Sequence, residues 1–269
     1  KNFQSFSIGG GYNTITTGKN QVYYTGGKTD WLGLDDGSRA MPTEIPSQEE
    51  FPLNIHEQAT LAKKTSVDWK LYDKNFSPNF NFQYSMGYTI PIKEKPLGII
   101  FALTYNKTNN YNETVRRAYS GNSSANGTEP SQIDFDYLDK TYSEQILAGG
   151  LANFSYKLND NNSFSFKNLY SINSDDRVIA RSGETNPLEA NPTLLKSNAR
   201  WFTNNKIYSG QLTGEHYLQK TKVRINWTSA LSQIERQIPN LRRTIYTRLD
   251  HIDDPSSPNP TDTMYTANI

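Results

Sequence analysis

The stretch "NFNFQYSMGYTI", residues 79–90, alternates apolar and polar side chains over its whole length. Its apolar positions are Phe80, Phe82, Tyr84, Met86, Tyr88 and Ile90. The residues between them are small or carry amides and hydroxyls, and none is charged. A period of two predicts a β-strand whose side chains point alternately to opposite faces. One face of this strand is apolar and largely aromatic, and the other is polar but uncharged.

Six further segments repeat the alternation, and the first of them does so only weakly. They are 3–12, 97–105, 146–158, 163–172, 206–218 and 222–231. These segments are rich in aromatic and β-branched residues, which favour strands. No long segment shows helical periodicity with capping signals. The sequence therefore predicts an all-β fold with about seven antiparallel strands.

Short and long connections alternate along the chain. The short ones are "PIKEKP" (91–96), "NDNN" (159–162) and "QKT" (219–221), which are typical of tight hairpin turns. The long ones are 13–78, 107–141, 174–200 and 234–269. Transmembrane β-barrels have short turns on the periplasmic side and long loops outside. We therefore interpret residues 1–269 as a single, incomplete barrel domain with four extracellular loops.

The charges support this interpretation, because Lys167, Glu215 and Arg224 all fall on the less apolar face of their strands. A lipid-facing Lys or Arg at mid-membrane costs about 2–4 kcal/mol. The predicted lipid-facing residues are Phe80, Phe82, Tyr84, Met86, Tyr88, Leu97, Ile99, Phe101, Leu103, Ile146, Phe154, Phe164, Phe166, Leu212, Ile225 and Trp227. A soluble sandwich, with a second sheet over this face, is the alternative.

Composition excludes several classes of function. The net charge is +1, which argues against a nucleic-acid partner. The chain has no cysteine and three widely separated histidines, so no metal site is predicted. We find no catalytic constellation, and we expect neither a cofactor nor an enzyme.

The segment "GKTDWLGLDDGSRAMP", residues 27–42, resembles a motif of TonB-dependent outer-membrane receptors of the Bacteroidetes type. The matching residues are Tyr23, Tyr24, Gly27, Lys28, Thr29, Asp30, Trp31, Leu32, Gly33, Asp35, Asp36, Gly37, Arg39 and Pro42. "YSGQLTGEHYL" and "IERQIPNLRR" resemble later segments of the same receptors more weakly. In those receptors the first motif follows the plug domain, so this chain would correspond to the N-terminal part of the barrel without the plug.

The resemblance implies a 22-stranded barrel in the outer membrane of a Gram-negative bacterium. It implies import of a scarce nutrient, such as a siderophore, glycan or peptide, driven by the TonB complex through a plug. Its other partners would be outer-membrane lipid, lipopolysaccharide and, in some receptors, a surface lipoprotein. Two alternatives remain open, a non-transporting outer-membrane barrel (an adhesin or assembly component) and a soluble β-rich glycan-binding module.

Loop residues are the candidates for ligand contact. They are Trp31, Asp35, Asp36, Arg39, Arg242, Arg243 and Tyr246. Arginines and aromatics hold anionic or sugar ligands by bidentate hydrogen bonds and stacking. For Asp35 and Asp36 the competing interpretation is a simple turn, because Asp-Gly favours turns. For Arg242 and Arg243 it is contact with solvent or lipopolysaccharide.

Overall fold

A computed structural model describes residues 2–40, 42–52, 54–64, 69–92, 94–121, 132–188, 192–239, 241–249 and 266–268. The strands are β1 (Phe3–Gly11), β2 (Asn20–Tyr23), β3 (Tyr72–Asn75), β4 (Asn79–Ile92), β5 (Lys95–Ser120), β6 (Gln132–Asn159), β7 (Asn162–Thr185), β8 (Thr193–Leu218), β9 (Val223–Gln237), β10 (Arg242–Leu249) and β11 (Thr266–Asn268). One α-helix, α1 (Ile55–Ala62), and two 3-10 turns (Asp30–Leu32 and Gln48–Glu50) lie between β2 and β3.

Nine strands form one antiparallel sheet in the order β1-β4-β5-β6-β7-β8-β10-β11, with β9 also paired to β8. This confirms the all-β prediction, and all seven predicted segments are strands. The three short connections are hairpin turns between β4 and β5, β6 and β7, and β8 and β9. They lie at the same end of the strands, because every second connection between consecutive antiparallel strands returns to that end.

The strands extend far into the segments predicted as loops. β5 and β6 occupy most of 107–141, and β7 and β8 occupy most of 174–200. The segment 234–269, predicted as the fourth loop, likewise contains the end of β9 and the strands β10 and β11. At about 3.3 Å per residue, the 26 residues of β5 span roughly 85 Å. Polar side chains hide the alternation in these extensions, but backbone hydrogen bonds do not depend on side-chain polarity.

β9 and β10 form one interrupted strand along β8. Gln237 pairs with Asn204, and Arg242 pairs with Arg200. The sequence thus has four residues between these two pairs on one side and three on the other, one more than a continuous ladder holds. Pro239 lies in this interruption, and proline has no N–H to donate to the ladder. The alternation therefore shifts by one residue between β9 and β10.

Cross-strand pairing gives the sheet two distinct faces. Directly paired residues share a face, and chains of pairs such as Met86–Phe101–Ala152 connect the strands. All sixteen residues predicted to face lipid lie on one face, which we call the aromatic face. Lys167, Glu215 and Arg224 lie on the opposite face, which we call the polar face. The predicted common orientation of the strands is thus reproduced by the register.

The aromatic face changes character along the strands. Near the hairpin turns, the residues of this face between Lys95 and Lys107 on β5, and the residues level with them on β4, β6 and β7, include no Asp, Glu, Lys or Arg. On β8 the uncharged run ends one row earlier, at Lys206 opposite Ile172. We call this part the uncharged band. Charges begin over three successive rows of cross-strand pairs. Lys206 and Glu235 pair in the row of Tyr105, Lys107 lies in the next row, and Glu144 and Asp176 pair in the row after that. Among the described residues, no second sheet lies over the band.

We call residues 12–78 the insert. Its described β2–β3 pair and the loop up to Arg39 lie against the charged half of the aromatic face. Its β2–β3 pair places Phe76 against Tyr142, with ring centroids 6.3 Å apart. Asn109 donates from Nδ2 to the Ser77 carbonyl oxygen at 2.8 Å. Ile146 is only 2% exposed and lies under Gly33 of the insert. The prediction that Ile146 faces lipid is therefore corrected, because the protein's own chain covers it.

Candidate functional site

Arg39 is the centre of a partly buried charge cluster between the insert and the sheet. Its Nη1 donates to Asp30 Oδ1 at 2.7 Å and to Asp35 Oδ1 at 3.2 Å. Its Nη2 donates to Asp30 Oδ2 at 2.5 Å, and its Nε donates to the Tyr24 hydroxyl at 3.4 Å. The guanidinium also lies 4.4 Å from the centroid of the Phe202 ring. All three guanidinium nitrogens thus bond to this chain, and Arg39 acts as a clamp that holds the insert on β8.

Asp176 of β7 completes the cluster, with Oδ2 3.5 Å from Arg39 Nη2. It lies beyond the uncharged band, next to Glu144 of β6 in the register. Burial raises the pKa of Asp176 to about 7, against the opposing charge of Arg39 and a hydrogen bond with Tyr24. Burial and the nearby Asp176 charge also raise the pKa of Tyr24. Transfer of a carboxyl or phenol group out of water penalises its ionised form, and the positive charge of Arg39 offsets this penalty only in part.

The loop before Arg39 is shaped by the other predicted candidates. Asp36 accepts hydrogen bonds from the Lys28 and Ser38 backbone N–H groups at 2.8 and 3.0 Å. Hydrogen bonds from Ser38 and Lys28 lower the pKa of Asp36 to about 2. Asp35 accepts from the Gly37 N–H at 3.2 Å. The interpretation of Asp35–Asp36 as turn residues is therefore confirmed, since both carboxylates bond to backbone groups of their own turn.

Trp31 is placed differently from its neighbours. Its side chain is 60% exposed, whereas its carbonyl oxygen accepts a hydrogen bond of 2.7 Å from the Tyr105 hydroxyl of β5. The backbone of Trp31 is thus tied to the aromatic face, while the indole ring remains open to the surroundings.

The candidates of β10 divide between the two faces. Arg242 pairs with Arg200 and lies 5.1 Å from the Trp69 ring centroid, on the aromatic face. Tyr246 pairs with Lys196 on the same face. Arg243 pairs with Ala199 on the polar face. The structure therefore brings Trp31, Asp35, Asp36, Arg39, Arg242 and Tyr246 to one side of the sheet and leaves Arg243 on the other.

The polar face carries its own set of charged residues in its outer half. Cross-strand register places Arg116, Arg177, Arg181, Arg236 and Arg243 there, with Asp139 and Asp175 as the acidic side chains of the paired positions. Arg181 binds Asp139 through two hydrogen bonds, at 2.6 and 2.8 Å. Arg177 lies over the Trp201 ring, 5.6 Å from its centroid. Arg177 also forms an ion pair with Asp175, and Arg116 lies 3.9 Å from Asp139. Five arginines thus share two carboxylates on this surface, and guanidinium groups match carboxylate and phosphate geometry.

Nearer the hairpin turns, the polar face holds an open cavity of about 290 Å³. Its lining includes Ser7, Ser85, Thr104, Leu151 and Ser171, contributed by five neighbouring strands. Small side chains at these positions leave room above the sheet. The cavity and the outer arginines lie on the same face, and a molecule that moves along this face would meet both.

Sequence reasoning missed the partners of Arg39 on the sheet, Asp176 and Phe202, and most of the polar-face arginines. The period-two alternation of apolar residues could have located Asp176. Continued past residue 173, it places Ser174, Asp176 and Val178 on the face of Ile172. The consecutive charges at 175–177 obscured this continuation.

The described part of the chain offers no group of three or more His, Asp or Glu side chains arranged to hold a metal ion. Within the same ranges, none of the helices combines the length and the apolar character needed to cross a membrane. Comparison with protein-family models, with curated proteins and with solved structures gives no match to this chain.

Proposed function

We propose that this chain is part of a transmembrane β-barrel, in the form of a TonB-dependent receptor of a Gram-negative outer membrane that imports a scarce nutrient. In this proposal the aromatic face contacts lipid and the polar face lines the lumen. Energy comes from the TonB complex through a plug domain. Transport needs binding and conformational change but no covalent chemistry, so the chain is not an enzyme. Lipopolysaccharide and a surface lipoprotein are the further partners that the family resemblance suggests.

The uncharged band is the observation that carries the proposal. Lys95 and Lys107 bound it on β5, twelve residues apart in the sequence. That distance is about 40 Å along an extended strand, and a tilt of about 45° reduces its height to roughly 28 Å. The hydrocarbon core of a bilayer is about 30 Å thick. An apolar band of this height, without a second sheet over it in the described residues, is what a membrane-spanning sheet requires.

The polar face supports the transport part of the proposal. Its small side chains leave the 290 Å³ cavity open, and its outer half presents arginines to passing solutes. A lumen lined in this way favours ligands that carry carboxylate or phosphate groups. Because the strands continue far beyond the band, most of the arginine surface would stand above the membrane, where a ligand is captured first.

The two alternatives make different demands. A soluble glycan-binding module must cover the band, yet Phe154, Phe166 and Leu212 on it are about 40% exposed, at 39, 43 and 41%. A non-transporting barrel has the same sheet but needs neither plug nor TonB. The family resemblance of residues 27–42 favours the receptor over that alternative.

Fractionation of cells that express the full-length protein tests the proposal. We expect the protein in the outer-membrane fraction, resistant to carbonate extraction and soluble only in detergent. A monodisperse protein in detergent-free buffer would exclude a membrane role. Deletion of TonB then separates the two barrel functions, because only the receptor loses ligand uptake while its membrane insertion continues.

A further inference from the structure

Trp31 lies at the level where the uncharged band ends. The hydroxyl of Tyr105 donates to the Trp31 carbonyl, and Tyr105 is the last residue of the aromatic face on β5 before Lys107. Gly33, two residues further, sits over Ile146 and Ile172, and Ile146 pairs directly with Lys107. Both sides of this short segment are therefore anchored at the border between uncharged and charged surface.

The indole ring of Trp31 is exposed, although a hydrogen bond from Tyr105 holds the backbone of the same residue. The 60% exposure of this residue contrasts with the burial of Arg39, which is 6% exposed. A large exposed aromatic ring in water is unfavourable. A tryptophan ring is amphipathic, however, and is stabilised at the boundary between acyl chains and polar headgroups.

A second exposed aromatic residue lies near this border, directly after β1. Tyr12 follows the last residue of β1 and is 76% exposed. Gly10 of β1 pairs with Phe80, and Phe80 pairs with Lys107. Tyr208 on β8, next to Lys206 along this face, is 37% exposed. Exposed aromatics thus follow the border across the sheet, as membrane-interface girdles do.

Given the membrane location proposed above, we propose that Trp31, with Tyr12, contacts the boundary between acyl chains and headgroups of the outer leaflet. The occupant of this surface is lipid, because the charge step and the band height match a bilayer and its interface. The insert then rests on the lipid side of the sheet, above the hydrocarbon. Trp31 would lie outside the ligand path, since the arginines and the cavity are on the polar face.

Site-directed spin labelling of the protein in lipid bilayers tests this placement. The chain contains no cysteine, so Trp31→Cys and Tyr12→Cys each give one labelling site within it. Collisions of the label with oxygen, which concentrates in lipid, are compared with collisions with a water-soluble nickel chelate. Phe154→Cys in the band and Val115→Cys, on the same face eight residues beyond Lys107, are the controls.

We expect the oxygen-to-nickel collision ratio at positions 31 and 12 to lie between the high value at position 154 and the low value at position 115. A ratio at position 31 equal to that at position 115, with position 154 still in lipid, would overturn the inference and leave the membrane proposal intact. Shielding of position 31 from both reagents would also overturn it, because protein would then cover the ring. A water-like ratio at position 154 would overturn both proposals.

Discussion

The guanidinium of Arg39 donates two parallel hydrogen bonds to the carboxylate of Asp30, at 2.7 and 2.5 Å, inside the contact between the insert and the sheet. The Arg39 and Asp30 side chains are 7% and 19% exposed. A two-point pair of this kind fixes orientation as well as charge. Because Arg39 also stacks on Phe202 of β8, the pair connects the segment that carries Trp31 to the sheet.

Arg39→Ala should therefore release the insert. Removal of the cation leaves Asp30 and Asp176 partly buried without a counter-charge, and we expect a local loss of about 3 kcal/mol. Hydrogen exchange at the Leu34 amide, which bonds to the Thr29 carbonyl, measures it. Arg39→Lys keeps the charge but loses the two-point geometry, so its loss should be smaller. Unchanged exchange in the alanine variant would show that the clamp is not needed.

Gly33 and Gly37 form a matched pair for a test of packing. Both have positive φ, 77° and 84°, so alanine at either position costs about 1 kcal/mol of backbone strain. A Cβ at Gly33 would lie 2.9 Å from Ser174 Oγ and 3.1 Å from Ile172 Cγ2, whereas one at Gly37 has no atom within 4 Å. We expect Gly33→Ala to destabilise the insert more than Gly37→Ala in a proteolysis assay. Equal effects would mean that the insert does not rest on β6 and β7.

Asp176 should make stability depend on pH. Its pKa is raised to about 7 in the folded protein, so the folded state keeps a proton that the unfolded state loses near pH 4. Stability therefore falls as pH rises from about 4 to 7. Above pH 7 the Asp176→Asn variant should therefore be more stable than the parent. We expect a gain of about 1–2 kcal/mol, because the Asp176 side chain is 26% exposed and solvent screens part of the effect. The advantage should shrink towards pH 4.

Thermal unfolding at several pH values measures this difference. Asp160→Asn is the control, because Lys157 lowers the pKa of Asp160 and its side chain is 87% exposed. That variant should show no gain at high pH. A constant difference between Asp176→Asn and the parent from pH 5 to pH 9 would contradict the prediction.

Leu103 and Thr104 are neighbours on opposite faces of β5. Leu103 lies in the uncharged band, opposite Tyr84, and Thr104 lies on the polar face, opposite Gln83. If the band contacts lipid, Leu103→Lys costs about 2–4 kcal/mol at mid-membrane, whereas Thr104→Lys enters the lumen. We expect the first variant to accumulate poorly in the outer membrane and the second to accumulate normally. Similar yields would speak against lipid contact.

Arg242 and Arg243 offer the same comparison for ligand recognition. Arg243 is on the polar face, and Arg242 is on the aromatic face near Trp69. If ligands move along the polar face, Arg243→Ala should weaken binding of an anionic ligand about tenfold, a loss of roughly 1.4 kcal/mol. Arg242→Ala should leave binding unchanged. Titration of the purified protein with the transported ligand distinguishes the two, and the reverse order would place the ligand on the aromatic face.

The period of two predicted seven of the eleven strands in the described residues, β1 and β4 to β9, and their common orientation. It succeeded at residues 79–90 because one face is uniformly apolar there. It failed directly after residue 173, where Asp175, Asp176 and Arg177 follow one another, and it resumed only at residue 206. In that outer half the strands are held by ladder hydrogen bonds and by ion pairs, which leave no apolar pattern in the sequence.

The covering of Ile146 could not be predicted for a different reason. Its contact with Gly33 joins segments that are far apart in the chain, and nothing local in "WLG" or in "EQILAG" specifies the partner. The resemblance of residues 27–42 to a receptor motif directed attention to Arg39. Only the folded structure shows that the side chain of Arg39 bonds within the chain and that Trp31 is the exposed aromatic residue of this motif.

The extra residue between Gln237 and Arg242 decides which face each side chain of β10 occupies. If all four intervening residues continued the regular pleat of β9, Arg242 would stand opposite Ala199 instead of Arg200, and the rest of the strand would turn over. Arg243 and Ile245 would then exchange faces with Arg242 and Tyr246. In the membrane orientation proposed above, this one irregular joint thus assigns a row of side chains to one compartment or the other without a change in any of those side chains.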